Sequence, residues 1–153
     1  SSKIAAYFDD HLLSCGLTYS GHPLACAAGV ACVNYYSKAN ILDNVNKVGK
    51  LLAQIEDDMK AKHKCVGDAR HIGLFSCLEL VKDKETREPL VPYGRDPDGV
   101  MPKIIGKLKA KKFMTYSHEN MIFVCPPLII TEDELRPEMA KLDEVLGEVD
   151  AEI

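Results

Sequence analysis

The chain has 153 residues, of which 46% are hydrophobic and 27% are charged, and its formal net charge is −4. These values are typical of one globular domain and argue against disorder. The acidic balance argues against nucleic acid as the main partner, because phosphate binding needs a concentrated positive face. The longest uncharged run, residues 12–37, contains Ser, Gly, Asn and His, so it is a poor membrane-spanning segment and no membrane partner is expected.

The first residues and the cysteines bear on the cellular compartment of the protein. No signal-peptide pattern opens the chain, which begins Ser1-Ser2-Lys3. That start is compatible with a processed terminus or with a piece of a longer protein. The cysteines are scattered singly among apolar residues without a C-x-x-C pair, so we expect free, buried thiols and a cytoplasmic location. They are Cys15, Cys26, Cys32, Cys65, Cys77 and Cys125.

The first predicted elements are helical. Residues 4–13 read as a short helix or turn with Tyr7 and Phe8 as anchors. Pro23 suits the first position of a helix over residues 23–38, which is apolar nearly all round. We expect this helix to be buried, because its small residues would let another backbone approach closely. They are Ala25, Ala27, Ala28, Gly29 and Ala31.

An amphipathic helix and a pair of strands follow. Residues 43–63 carry an apolar stripe at helical spacing, formed by Val45, Val48, Leu51, Leu52, Ile55 and Met59. Residues 66–83 then read as strands. One predicted face holds Ile72, Leu74, Leu78 and Leu80, and the other holds Phe75, Glu79 and Val81.

The last part of the chain begins with a charged Pro/Gly loop over residues 83–99. A helix over residues 101–112 follows, and the basic run KLKAKK is read as its solvated C-terminal turn. Two strands are predicted around a polar turn at residues 118–120. Thr131 and Glu134 have the spacing of a capping box that starts the final helix. Its predicted buried stripe is Leu135, Met139, Leu142, Leu146 and Val149.

This order of elements predicts an α+β fold, a small antiparallel sheet covered on one face by helices. The chain shows no internal repeat and no low-complexity segment.

Two candidate reactive sets are weak on spacing. His11, Cys15, His22 and Cys26 are zinc-type ligands, but they are more widely spaced than in known zinc modules, so no metal site is assigned. Arg70 and His71 are adjacent on a predicted strand and would suit a reactive pair. We favour the alternative that Asp68 or Glu79 neutralises Arg70. The G-x-S-x-G, P-loop and H-E-x-x-H motifs are absent.

The segment GLTYSGHPLACAAG, residues 16–29, places several hydrogen-bonding groups at a helix start. Thr18, Tyr19, Ser20 and the N–H groups of Gly21 and His22 all precede the helix. Free donors and the positive end of the helix dipole together make an anion site, above all for phosphate. Alternatively, Ser20 or Thr18 only caps the helix. The residues alone leave both interpretations open.

Three motifs in register resemble the class III aminotransferases, the omega-amino-acid branch of the pyridoxal-phosphate enzymes of fold type I. They are GLTYSGHPLACAAGVA, VGDARHIGLFSCLELVKDKETREPL and IFVCPPLIITEDEL. Within this family, the residues of the three motifs are most similar to those of the taurine–pyruvate and beta-alanine–pyruvate type. The resemblance covers the whole chain and corresponds to the carboxyl-terminal part of the family's proteins. Residues 1–38 would then be the end of the large domain with its linking helix, and residues 39–153 the small domain.

The resemblance implies roles for the polar turn. The position of Thr18 binds the phosphate of pyridoxal phosphate held in the neighbouring subunit of a homodimer, and Ser20 and Gly21 shape the same cofactor-binding turn. Tyr19 is expected to face the substrate. No Arg lies between Arg95 and Arg136, where family members often bind the substrate carboxylate. Tyr116 and His118 are therefore the expected substrate-binding residues there.

The resemblance also implies what the segment lacks. In the family, the Schiff-base lysine lies before the segment that matches residue 1, so Lys3 is not that lysine. We expect a fragment that is inactive alone and whose partner is the large domain of the same chain. The parent would move an amino group from an omega-amino acid or amine to pyruvate or another 2-oxo acid. The alternative is a non-catalytic binding or interaction domain.

Overall fold

The computed structural model describes residues 1–153, which divide into two compact units, Ser1–Ala39 and Asn40–Ile153. The helices and strands in chain order are α1 (Ser2–Asp10), α2 (Pro23–Lys38), α3 (Ile41–Lys62), β1 (Val66–Ile72), β2 (Phe75–Asp83), β3 (Glu88–Pro89), α4 (Val100–Ala110), β4 (Ser117–His118), β5 (Met121–Val124) and α5 (Glu132–Glu152). None of the helices combines the length and the apolar content that a membrane crossing requires.

Helix α1 differs from its prediction in both bounds and packing. It ends at Asp10 because His11 adopts an extended conformation. Tyr7 and Phe8 are exposed and anchor nothing in a core. The Tyr7 ring instead stacks on the His11 ring at a centroid distance of 3.9 Å, and Phe8 meets the edge of Tyr7 at 5.3 Å.

Helix α2 has the predicted bounds, but the expectation that it is buried is wrong. No residue of the helix is buried, and Leu24 is 76% exposed. A Cβ atom added at Gly29 would meet no other atom within 4 Å. The small residues permit a close approach to this helix, but their pattern does not require that an approaching backbone belong to the same unit.

The sheet of the second unit is antiparallel, with the strand order β1-β2-β5-β4 and with β3 paired to β2. The α+β class is therefore as predicted. The structure contradicts the expected face of Ile72, which is exposed. The tight β1–β2 turn pairs Ile72 with Phe75, which is also exposed, so both lie on the face away from the core.

Helix α3 covers the other face of the sheet and confirms the predicted stripe, with Val48, Leu52 and Met59 fully in the core. The helix backbone approaches the hairpin turn closely. A Cβ atom at Gly49 would lie 2.7 Å from the carbonyl carbon of Gly73, so only glycine fits there.

Helix α5 begins with the predicted capping box. Thr131 accepts from the Glu134 N–H, and the Glu134 carboxylate accepts from the Thr131 N–H at 2.9 Å. The predicted stripe is buried, together with Val145. Lys107 of α4 pairs with Glu148 and Glu152 of α5, which agrees with a basic C-terminal turn on α4.

Two smaller expectations need correction. The loop over residues 83–99 contains β3, and its Leu90 and Val91 are buried in the core, because the loop returns along the edge of β2. Of the cysteines, Cys65 and Cys77 are buried as expected, whereas Cys15, Cys26, Cys32 and Cys125 are exposed. Three of these exposed thiols lie in the first unit, where no residue is buried.

Candidate functional site

The polar turn lies at residues 18–21, directly before α2. Two backbone hydrogen bonds shape it, from the Ser20 N–H to the Leu17 carbonyl at 2.9 Å and from the His22 N–H to the Tyr19 carbonyl at 3.1 Å. Gly21 has a φ of +72°, which L side chains rarely adopt. The sequence therefore favours a tight turn that is held by backbone hydrogen bonds, and the side-chain hydroxyls of Thr18 and Ser20 take no part in them.

The start of α2 carries no side-chain cap. His22 is the N-cap residue, and its side chain accepts no hydrogen bond from the first turn. Thr18 and Ser20 use their hydroxyls in no hydrogen bond within the chain, so the interpretation of either residue as a simple cap is wrong. The N–H groups of Gly21, Leu24 and Ala25 also have no acceptor.

Electrostatics at this turn favour an anion. Residues 11–37 include no Asp, Glu, Lys or Arg, so this segment itself brings no carboxylate to the positive end of the α2 dipole. Unpaired N–H groups at a helix N-terminus beside two free hydroxyls match the hydrogen-bonding needs of a phosphate. The arrangement can therefore bind a phosphate through neutral donors.

Tyr19 lies at the centre of the same turn and is exposed. Its ring meets the ring of His22 at a centroid distance of 6.0 Å in an edge-on arrangement. The ring is therefore available to contact a ligand bound at the turn.

The widely spaced zinc-type set is not assembled. His11 is engaged with α1, with its Nδ1 2.8 Å from the Tyr7 carbonyl oxygen. The structure groups no three His, Cys, Asp or Glu side chains in a way that could hold a metal ion.

Tyr116 and His118 lie in the second unit, where Tyr116 directly precedes β4 and His118 is its last residue. Tyr116 is 66% exposed, and its ring lies 5.5 Å from that of Phe123. His118 is exposed beside the turn at Glu119, which accepts a hydrogen bond from the Gly94 N–H at 2.8 Å. Buried Asn120 donates to the Leu80 carbonyl and fixes this turn to β2.

Arg70 is engaged in ion pairs, as the favoured interpretation predicts. Its guanidinium lies 2.9 Å from the Glu79 carboxylate and 3.3 Å from that of Asp68. Burial lowers the pKa of Arg70, but the hydrogen bonds and charges of Glu79 and Cys77 together outweigh burial and raise it. Arg70 and His71 do not act as a pair, because adjacent residues of a strand point to opposite faces.

Sequence reasoning missed a buried acid, Glu56 of α3. Its side chain is inaccessible, and Ser76 donates to its Oε1 at 2.5 Å. Burial raises the pKa of Glu56 to about 7, against a lowering by the Ser76 hydrogen bond and a further raising by Asp57. The signal was present in the sequence, because Glu56 continues the buried spacing of Val48 and Leu52.

A second missed cluster surrounds His63, which ends α3 and is almost fully buried. Its ring nitrogens lie 2.8 Å from Asp150 and 2.9 Å from Asp143 of α5. Burial would raise the pKa of both carboxyls, but hydrogen bonds from Lys62 and His63 to Asp143, and from Cys65 and His63 to Asp150, lower it. The two contacts of His63 span 80 and 87 residues of sequence, so no local pattern predicts them.

Comparison with known proteins identifies the family. The model of the family described as aminotransferase class-III matches residues 2–146. The solved structure of taurine:2-oxoglutarate aminotransferase from Bifidobacterium kashiwanohense, in complex with PLP and glutamate, is 53% identical with a TM-score of 0.89, and the match covers 99% of this chain and 34% of that one.

Curated relatives agree with this match. Taurine–pyruvate aminotransferase of Bilophila wadsworthia is 31% identical over 134 residues, which are 87% of this chain and 29% of the relative. Adenosylmethionine-8-amino-7-oxononanoate aminotransferase of Methanocaldococcus jannaschii is 36% identical over 135 residues, with shares of 88% and 28%. The chain thus spans about a third or less of the length of the relatives that it matches. By the extent of the family match, this chain belongs to the class-III aminotransferases.

Proposed function

We propose that this chain is the carboxyl-terminal part of a pyridoxal-phosphate-dependent aminotransferase. The complete protein would move an amino group from an omega-amino acid or amine to pyruvate or another 2-oxo acid. The observation that carries the proposal is the turn before α2, where the hydroxyls of Thr18 and Ser20 and the Gly21 N–H are unpaired. The chain that contains this turn matches the aminotransferase family from residue 2 to residue 146.

The residues of this turn fit the cofactor phosphate. Thr18 and Ser20 supply free hydroxyl donors, and Gly21 gives the phosphate close access to the backbone, since a Cβ atom there would meet nothing within 4 Å. The unpaired N–H groups of Leu24 and Ala25, in the first turn of α2, follow Gly21 within four residues. Of these groups, we propose Thr18 as the principal donor.

When bound, pyridoxal phosphate acts as an electron sink for the substrate carbon that loses or gains a proton. The part of this chain in that chemistry is to hold the phosphate and so to fix the cofactor in one orientation. A hydroxyl that donates to a charged phosphate makes a strong hydrogen bond, which also resists displacement by water.

Tyr19, Tyr116 and His118 are proposed to contact the substrate. All three are exposed polar side chains that the fold leaves free of buried hydrogen bonds. An imidazole or phenol group can donate to a carboxylate or sulfonate oxygen, and so replace the missing arginine. We propose that they affect substrate affinity without affecting cofactor affinity.

We further propose that the complete protein is a cytoplasmic homodimer and that Thr18 binds a cofactor held mainly by the neighbouring subunit. The lysine that bonds covalently to the cofactor would lie in the large domain, outside residues 1–153. The 153 residues alone are then expected to have no turnover.

Substitution Thr18→Ala in the complete protein tests the proposal. A charge-assisted hydrogen bond contributes about 1.5–3 kcal/mol, so the dissociation constant of pyridoxal phosphate is expected to rise roughly 10- to 100-fold. The measurement is an absorbance titration of the apoprotein with the cofactor. Thr18→Ser, which keeps the hydroxyl, should retain most of the affinity.

Ser14→Ala is the matched control, because Ser14 is an exposed hydroxyl of the same unit outside the turn. Its cofactor affinity should equal that of the unmodified protein. If Thr18→Ala binds the cofactor as tightly as Ser14→Ala, the phosphate role of Thr18 is wrong. A complete protein that binds no pyridoxal phosphate would favour the non-catalytic binding domain.

A further inference from the structure

The buried carboxyl group of Glu56 has one satisfied and one unsatisfied oxygen. Oε1 accepts from the Ser76 hydroxyl at 2.5 Å, and the same hydroxyl lies 3.3 Å from the Val124 carbonyl. Oε2 is buried and has no hydrogen-bond partner. An unpaired buried carboxylate oxygen is costly, so this site favours either a proton on Glu56 or a donor that can reach Oε2.

His71 is the one group placed to be that donor. Its Nδ1 lies 4.0 Å from Glu56 Oε2, and its side chain is 31% exposed. His71 is paired directly with Ser76 across the β1–β2 hairpin, so both side chains lie on the face toward α3. The gap is about 1 Å longer than a hydrogen bond.

The other titratable groups that reach Glu56 come from three elements. They are Asp57 of α3, Cys77 of β2, and Cys125 just after β5. Burial raises the pKa of both thiols, so they carry no charge at neutral pH. His71 is therefore the sole candidate among these groups for a positive charge beside Glu56.

We propose that Glu56 and His71 form a proton-exchanging pair that makes the end of the β1–β2 hairpin sensitive to pH. In the transfer, the Oε2–H bond of Glu56 breaks and an Nδ1–H bond forms on neutral His71. The carboxylic acid becomes a carboxylate and the imidazole becomes an imidazolium, with no change in net charge. The new cation then closes the gap and donates to Oε2.

The location gives this exchange a structural consequence. The hairpin turn already contacts α3 where Gly49 meets Gly73, and Glu56 lies two helical turns further along the same face. Closing the Glu56–His71 gap adds a second attachment of the hairpin to α3. Protonation of His71 by solvent while Glu56 keeps its proton removes that attachment, because a neutral acid attracts the imidazolium less.

The pair is tested by NMR titration of the protein, with observation of the Glu56 carboxyl carbon and the His71 ring nitrogens. We expect the Glu56 carboxyl and the His71 ring to respond together at each pH step, because the protons of a coupled pair leave in steps that belong to the pair. In Glu56→Gln the shared step of the His71 ring should disappear. His71 signals that change without any response at Glu56, or the reverse, would overturn the proposal.

His71→Asn provides an independent readout, and its partial exposure makes it tolerable to the fold. Loss of a nearby cation should raise the midpoint of the Glu56 step by about one pH unit. The matched control is Cys125→Ser, which replaces a neutral neighbour and should leave the midpoint where it is. An unchanged midpoint in His71→Asn would contradict the exchange and leave Glu56 as an isolated buried acid.

Discussion

Helices α2 and α5 both follow a segment that contains a potential hydroxyl cap, yet only α5 uses one. Thr131 and Glu134 satisfy the first N–H groups of α5, and its apolar stripe is buried. The hydroxyls before α2 cap nothing, and none of its side chains is buried. The capping groups and the apolar stripe of α5 are thus satisfied within the chain. The first unit leaves both kinds unsatisfied, which is where the proposed cofactor phosphate would act.

The largest expected effect compares a core residue of the second unit with an exposed residue of the first unit. Leu78 of β2 is 0% exposed, whereas Leu24 of α2 is 76% exposed. Leu78→Ala should lower the free energy of unfolding by about 2–5 kcal/mol, because it removes a buried side chain and leaves a cavity. Leu24→Ala should change it by about 0.5 kcal/mol or less.

Urea denaturation of both variants measures this contrast. A large loss of stability in Leu24→Ala within residues 1–153 would break the comparison, because it would mean that α2 packs in a core. A small effect of Leu78→Ala would contradict the position of β2 at the centre of the second unit.

The next effect in size is the pH dependence that Glu56 gives to the second unit. Burial raises its pKa from the ordinary 4.5 to about 7, so the folded chain binds a proton that the unfolded chain releases above pH 4.5. The contribution of Glu56 to the free energy of unfolding is therefore complete below pH 4.5, and it falls as the pH rises to about 7. The total loss is about 3 kcal/mol.

Glu56→Gln cannot release a proton and should remove this part of the pH profile. At pH 8 the variant is expected to be more stable than the unmodified protein, and at pH 4 the two should be similar. Thermal unfolding at several pH values measures the difference. Equal stability of the variant and the unmodified protein at pH 8 would show that the pKa of Glu56 is not raised. Asp10→Asn in the first unit, where Asp10 is exposed, is the control and should not alter the profile.

The smallest effect compares the two helix starts directly. Thr131→Ala removes the capping hydroxyl of α5 and should cost about 1 kcal/mol of unfolding free energy. Ser20→Ala before α2 removes a hydroxyl that caps nothing and should leave stability unchanged. If Ser20→Ala destabilises the chain as much as Thr131→Ala does, the hydroxyl before α2 is a cap after all.

The sequence predicts the parts of the structure that depend on neighbours along the chain. The capping box at Thr131 and the bounds of α2 follow from residues three or four positions apart. The polar turn around Thr18 is likewise recognisable, since its residues are consecutive. The neutralisation of Arg70 by Glu79 follows from the chemistry of a charged strand residue.

The parts that fail depend on distant partners or on a change of face. Alternation extended through the hairpin predicts Ile72 on the buried face, but the turn reverses the chain there and Ile72 is exposed. The predicted helix over residues 43–63 agrees with α3 at its end, but the pattern does not show that His63 contacts Asp150 of α5. The apolar pattern of α2 predicts a helix that can pack closely against another element, but it does not predict which surface packs against it.

The most direct test of the central claim is an experimental structure of the complete protein loaded with pyridoxal phosphate. The account predicts that Thr18 Oγ1 lies about 2.5–3.0 Å from a phosphate oxygen, the distance of an O–H···O hydrogen bond. A phosphate held entirely by other residues, with the Thr18 hydroxyl turned to solvent, would contradict it.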